Sequence, residues 1–281
     1  MAILPLVFLA WALLSVPALG QIQPANSRTN FYFAHIADGG PASDRWTTQF
    51  RFINPTPFLA RGSLLFFSTN GGPLQVDFGA GTNSIFFDIP IAPNGSIQFE
   101  TKGNSPTLRT GFVQGGFDVP IQATSEFRNW RNGIFANGAS VDGIAPSRLF
   151  QTFADSFTGI AIANPNSFSV SCTGTFYDSN GAAIRERESF LGPFNQTAYT
   201  LGRFFSLPGS TVGSYFIDCS SSVVSLAIAG NDRGITSTLP SGAFAVPINH
   251  RSNIVQIFLH LVKALPAIGF SVGQPRLEVI V

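Results

Sequence analysis

Short apolar and aromatic segments alternate with polar positions along most of the chain. They cover residues 31–33, 48–53, 62–68, 84–89 and 96–101, and Gly, Asn, Pro or Asp bounds each of them. A period of two is typical of strands that bury one face, and short strands separated by turn residues favour a sandwich. We therefore expect an all-β fold of antiparallel strands.

The same pattern occurs twice in the chain. Thr48–Gly71 recurs as Thr158–Gly181 without a gap, and repeat 1 carries about seven extra residues near 39–45. A period this long indicates two similar modules rather than a solenoid. The sequence predicts two tandem immunoglobulin-like β-sandwiches, repeat 1 at 21–146 and repeat 2 at 147–247.

The repeated polar residues are those that end strands and form turns. Asn54-Pro55 and Asn164-Pro165 follow strand-like segments, because Pro removes a backbone donor. Asn70-Gly71 and Asn180-Gly181 suit hairpin turns, which need positive φ. Asp38 and Asp155 also recur at matched positions, and the expected role of each is to cap a loop amide.

Repeat 2 has features of its own. Alternating charges at 185–188 predict an exposed edge strand, and residues 195–207 fit a short helix or an irregular crossover where repeat 1 has a strand. Cys172 and Cys219 are the two cysteines of the chain, and we expect them to form a disulfide. Period-two alternation places Phe168 and Cys172 on one face of a strand, and Tyr215, Ile217 and Cys219 on one face of another. Two core-facing thiols on different strands can meet inside the sandwich.

Both ends of the chain differ from the repeats. Residues 1–20 are apolar and end in small residues, which predicts a signal peptide and a secreted, periplasmic or cell-surface protein; an uncleaved anchor is the alternative. Residues 248–281 form an extension in which a helical stripe covers 254–265. This stripe is too short to span a bilayer, so no membrane span is expected once the signal segment is removed.

Composition argues against several functions. The net charge is +1 and charged residues make up 11% of the chain, which gives no basis for nucleic-acid binding. The three histidines are scattered, no hydrolase or phosphate-binding motif occurs, and Asp178-Ser179-Asn180-Gly181 fits a turn better than a calcium loop. We expect no catalytic residue, metal or cofactor, and the sequence leaves the oligomeric state open.

Two aromatic segments of repeat 1 are the candidates for binding. Trp46 lies beside the extra residues, and Arg128, Trp130 and Arg131 lie close together in the chain. An exposed Trp beside Arg and amide groups can stack on a sugar or form an interface hot spot, so the expected partner is an extracellular protein or a glycan. Each Trp also fits a purely structural role, covering a core edge or a hairpin.

The alternative function is a glycosidase-like hydrolase that uses two carboxylates. Its candidate residues are Glu100, Glu126, Glu186 and Glu188, which fit solvated surface positions equally well.

The ensemble of Phe33, Ala37-Asp38-Gly39-Gly40, Trp46-Thr47-Thr48, Asn54-Pro55 and Asn70-Gly71 resembles a group of uncharacterised secreted bacterial proteins. The resemblance covers about residues 31–239. It implies tandem β-sandwich modules in an extracellular, non-catalytic role, and it supplies no catalytic residues.

Overall fold

The computed structural model describes residues 27–209, 211–231, 234–239 and 241–244. Repeat 1 contains β1 (Arg28–Asp38), β2 (Arg45–Ile53), β3 (Ala60–Ser68), β4 (Val76–Asp77), β5 (Thr82–Asn83), β6 (Ile85–Ile91), β7 (Ser96–Glu100), β8 (Arg109–Arg131) and β9 (Ile134–Asp142). Repeat 2 contains β10 (Ser147–Asp155), β11 (Gly159–Ala163), β12 (Val170–Asp178), β13 (Ala183–Leu191), β14 (Gln196–Thr200), α1 (Leu201–Phe205), β15 (Val212–Asn231), β16 (Gly234–Leu239) and β17 (Ser241–Phe244).

The all-β prediction is confirmed, since nearly every described element is an antiparallel strand. The predicted signal segment 1–20 and the predicted helix 254–265 lie outside the described residues.

Repeat 1 is built around β8, a strand long enough to belong to two sheets. The first half of β8 lies between β3 and β1, and the second half lies between β2 and β9. Strand β6 extends the first sheet beside β3, and β7 extends the second beside β2. We call these sheet I (β6-β3-β8-β1) and sheet II (β7-β2-β8-β9). They enclose a common apolar core.

Repeat 2 uses the same strand order around its own long strand, β15. Sheet III contains β13-β12-β15-β10-β17, and sheet IV contains β14-β11-β15-β16. Strand β13 is an edge strand, which confirms the interpretation of the alternating charges at 185–188. Each strand of sheets I and II thus has a counterpart in repeat 2.

Phenylalanine side chains fill the core of repeat 1. Alternate residues of each strand point inward, so Phe50 and Phe52 of β2 are fully buried and lie against neighbouring rings at centroid distances of 5.5–5.9 Å. Burying one such side chain stabilises the fold by roughly 1.5–3 kcal/mol. The smaller core of repeat 2 combines Phe176 and Tyr215 with the disulfide.

The two repeats pack directly against each other. Ala161, Val224 and Leu226, on the outward face of sheet IV, belong to the apolar core of repeat 1. At the β13–β14 turn, Phe194 stacks on Phe67 of β3 with ring centroids 5.2 Å apart. All described residues accordingly belong to one compact unit.

Two local predictions for repeat 2 need correction. Phe168 precedes β12 in a loop and is 54% exposed, because Asn164-Pro165 ends β11 and the chain pairs again only from Val170. The predicted short helix in 195–207 is present as α1, but β14 precedes it, so repeat 2 also has the counterpart of β7. The predicted disulfide between Cys172 and Cys219 is confirmed; both residues are buried in the core of repeat 2 and are register partners on the adjacent strands β12 and β15.

Candidate functional site

The outward face of sheet II carries Trp130, one of the two candidate tryptophans. In the β2–β8 register, Arg45 lies opposite Trp130 and Thr47 lies opposite Arg128. Because Cβ atoms alternate between faces, these four residues share the side of the sheet that faces away from the Phe50 core.

Contacts on several sides hold the Trp130 ring in place. Its Nε1 donates a hydrogen bond to Thr47 Oγ1 at 3.0 Å. The guanidinium carbons of Arg128 and Arg45 lie 5.0 Å and 6.0 Å from the ring centroid, and Phe135 meets the ring edge-on at 5.6 Å. A cation–π contact of this kind contributes about 0.5–1 kcal/mol at an exposed site. With Glu100, these residues form the Trp130 patch (Arg45, Thr47, Glu100, Arg128, Trp130 and Phe135).

Glu100 and Glu126, two carboxylates of the hydrolase alternative, lie on this same face. Arg128 Nη1 donates to Glu100 Oε2 at 2.6 Å, and Thr47 Oγ1 donates to the other carboxylate oxygen. Arg51 Nη2 donates to Glu126 Oε2 at 2.6 Å. Glycoside hydrolysis requires one carboxyl group that gives a proton and a second that attacks or activates water. The contacts engage both carboxylate oxygens of Glu100 and one of Glu126, which weighs against these roles.

The two remaining carboxylate candidates lie elsewhere. Glu186 and Glu188 are exposed on the edge strand β13 of repeat 2.

Trp46 lies on the other side of sheet II. It is the register partner of Asn129, it packs against the core of repeat 1, and it lines a cavity between the repeats. Arg131 is exposed where β8 turns into β9. The structure therefore brings Arg128 and Trp130 together and separates Trp46 from them by the thickness of the sheet. Ligand binding by these four residues remains a prediction.

The cavity beside Trp46 has a volume of about 460 Å³ and includes His35 of β1 in its lining. His35 Nδ1 lies 3.0 Å from Gln196 Nε2, and its ring meets Phe127 edge-on at 5.4 Å. Burial lowers the pKa of His35 from 6.5 to about 4, so the side chain is neutral at pH 7. Sequence alone does not single out His35, because a lone histidine in a strand carries no local sign of a contact between repeats.

Buried amides explain why Asn-Pro is repeated. Asn54 is fully buried; its Nδ2 donates to the carbonyl oxygens of Phe58, Ile91 and Ala92, and its Oδ1 accepts from the backbone N and Oγ1 of Thr56. Asn164 makes the matching contacts, donating to the carbonyl oxygens of Phe168, Leu191 and Gly192 and accepting from the backbone N and Nδ2 of Asn166. Each amide joins the end of one sheet to the edge strand of the other, so its role is structural.

The repeated carboxylates Asp38 and Asp155 also have structural roles. Asp38 is buried, accepts from the backbone N of Gly103 at 3.0 Å and pairs with Arg109 at 2.7 Å. Asp155 Oδ1 accepts from the backbone N of Phe157 at 2.9 Å, so both residues cap loop amides as expected. Asp178 Oδ1 accepts from two backbone amides of its turn. Within the described part of the chain, no group of three His, Cys, Asp or Glu residues is arranged to hold a metal ion.

These features define a protein of two tandem β-sandwiches with a disulfide inside repeat 2, an aromatic–cationic patch on the outward face of sheet II and an apolar cavity between the repeats. Cys172 and Cys219 are bonded, a state typical of oxidising compartments. Across the described ranges, no helix combines the length and the apolarity that crossing a membrane requires. Comparison with protein-family models, curated protein sequences and solved structures returns no match to this chain.

Proposed function

We propose that the protein is a secreted structural or adhesive module, periplasmic or at the cell surface, which contacts a protein or glycan through the Trp130 patch. The observation that carries the proposal is an ordered Trp, flanked by two Arg side chains, on the outward face of a rigid sheet.

The composition of the patch supports binding. Tryptophan and arginine are the residues most enriched at interface hot spots, and a tryptophan ring also stacks on sugars. The Thr47 hydrogen bond and the Glu100 ion pair already order the Trp130 and Arg128 side chains. Binding therefore loses little side-chain entropy at these two positions. Ile134 and Phe135, both exposed at the adjacent hairpin, extend the surface with apolar area.

Export is supported by the disulfide and by the signal-like segment 1–20. A cross-strand disulfide persists outside the reducing cytoplasm. A signal peptide at residues 1–20 would direct the chain to such a compartment.

The test is binding of the labelled full chain to a glycan array and to a panel of immobilised extracellular proteins. We expect Trp130→Ala and Arg128→Ala each to weaken a positive interaction by about tenfold or more, because hot-spot residues contribute at least 1.4 kcal/mol. Phe153→Ala is the control, since Phe153 is an exposed aromatic residue on sheet III of repeat 2. Equal losses in the control, or no loss in Trp130→Ala, would contradict the assignment of the patch.

The hydrolase alternative is kept because Glu100 and Glu126 share the face of Trp130. Their ion pairs with Arg128 and Arg51 weigh against it. Release of reducing sugar from polysaccharides by the wild-type chain, abolished in Glu100→Gln and Glu126→Gln, would replace the binding proposal with this one.

A further inference from the structure

The cavity beside Trp46 lies where the two repeats meet, on the opposite side of sheet II from the Trp130 patch. Repeat 1 contributes residues of β1, β2 and β8, and repeat 2 contributes residues of β11, β14 and β15. Its large side chains come from both repeats and are mainly apolar or aromatic, namely Trp46, Leu108, Phe127, Phe157, Tyr199 and Ile228. The walls belong to one compact unit, so the cavity is part of the fold.

Two of these side chains are exposed at the cavity. Leu108 is 50% exposed and Phe157 is 45% exposed, although each belongs to a different repeat. Neither contributes to a core in this position. Large exposed apolar side chains that gather around one concavity indicate a surface that a ligand covers.

The lining carries no formal charge. It contains no Asp, Glu, Lys or Arg, and His35 is neutral at pH 7. A charged ligand would lose its hydration here without gaining a counter-ion, which is a large penalty in an apolar site. The occupant that fits is uncharged.

Among the polar lining residues, His35 has a neighbour that fixes its tautomer. Gln196 Nε2 donates to His35 Nδ1 at 3.0 Å, so Nδ1 is unprotonated and the neutral ring carries its proton on Nε2. A His35 N–H within an apolar lining recognises a hydrogen-bond acceptor, such as a carbonyl oxygen, on an otherwise apolar molecule.

We infer that this cavity binds an uncharged, mainly apolar small molecule. The aromatic rings of the ligand lie between the two repeats, and its hydrogen-bond acceptor faces His35. Its volume of about 460 Å³ falls within the range of about 300–1,000 Å³ that ligand sites occupy, and domain boundaries are common places for such sites. The inference does not depend on the Trp130 patch, because the two surfaces are on opposite sides of the sheet.

The probe is 6-propionyl-2-(dimethylamino)naphthalene, an uncharged naphthyl ketone whose emission shifts to the blue in apolar surroundings. We expect saturable binding to the full chain with a Kd below roughly 100 µM. Ala198 is exposed and lines the cavity, so Ala198→Phe obstructs the entrance without disturbing a core. The matched control is Ala183→Phe, the same change at an exposed position of β13, away from the cavity.

Ala198→Phe is expected to raise the Kd by about tenfold, whereas Ala183→Phe leaves it within about twofold of the wild type. His35→Phe should weaken binding of the ketone more than binding of N-phenyl-1-naphthylamine, an uncharged probe without a carbonyl. Three results would overturn the inference: no saturable binding, equal effects of the two Ala→Phe changes, or binding of the anionic 8-anilino-1-naphthalenesulfonate with the same affinity and the same sensitivity to Ala198→Phe.

Discussion

The buried amides of Asn54 and Asn164 allow one structural element to be tested twice in the same molecule. Replacing either by Ala removes a side chain that is fully buried and that bonds to three carbonyl oxygens and two further donors. The two networks match contact by contact. The two variants should therefore lose nearly the same free energy of unfolding.

The magnitude follows from the number of bonds. An amide nitrogen has two hydrogens, so its three acceptors share two N–H groups, and Oδ1 accepts two further bonds. At about 1 kcal/mol net for each of four bonds, the loss is about 4 kcal/mol. Carbonyl groups that water can reach recover part of their solvation, whereas those that stay buried lose the full desolvation penalty. We expect a cost of about 3–5 kcal/mol for each variant.

Urea unfolding monitored by tryptophan fluorescence and far-UV circular dichroism measures both variants against the wild type. Asn104→Ala is the control, since Asn104 is exposed and makes a single surface hydrogen bond to Asp77 at 2.8 Å. This change should cost less than about 0.5 kcal/mol.

If Asn54→Ala or Asn164→Ala lowered the free energy of unfolding by less than about 1 kcal/mol, the reasoning would be refuted, because removing four hydrogen bonds of about 1 kcal/mol each should cost more. Unequal losses would show that the two sandwiches do not use the amide in the same way.

Two further measurements test stability. Replacing Cys172 and Cys219 together by Ala should lower the free energy of unfolding by up to about 4 kcal/mol. The reason is that the disulfide joins residues 47 apart and so closes a long loop in the unfolded chain. A urea midpoint equal to that of the oxidised wild type would contradict this. His35 has a folded-state pKa lowered from 6.5 to about 4, so the unfolded chain binds more protons between these values, and stability should fall by about 2 kcal/mol from pH 7.5 to pH 5. His35→Phe should flatten that part of the pH profile, and an unchanged slope would count against the burial of a neutral histidine.

The local sequence determined the fold class and the duplicated architecture. Alternation of period two is a property of consecutive residues, and it marked the buried faces that carry Phe50 and Phe66 in repeat 1 and Phe176 in repeat 2. Asn-Gly and Asn-Pro act on backbone conformation within two or three residues. The sequence therefore predicts the strand ends and turns at these residues, but it does not predict the long-range hydrogen bonds of Asn54.

Tertiary structure decided which residues meet. Trp46 and Trp130 are both aromatic residues of repeat 1, yet the register of β2 on β8 puts them on opposite sides of sheet II. The same kind of register made Cys172 and Cys219 neighbours within one sheet. Alternation specifies two faces for each strand but not the partner strand or its offset, so neither result could be derived from the sequence.

The cavity depended on tertiary structure most of all. His35 and Gln196 are 161 residues apart and meet only because sheet IV packs on repeat 1. Such a contact rests on the shape of two completed sandwiches, which no local pattern encodes. The sequence by itself determined how each sandwich is built, and the packing of one on the other determined where a ligand has room to bind.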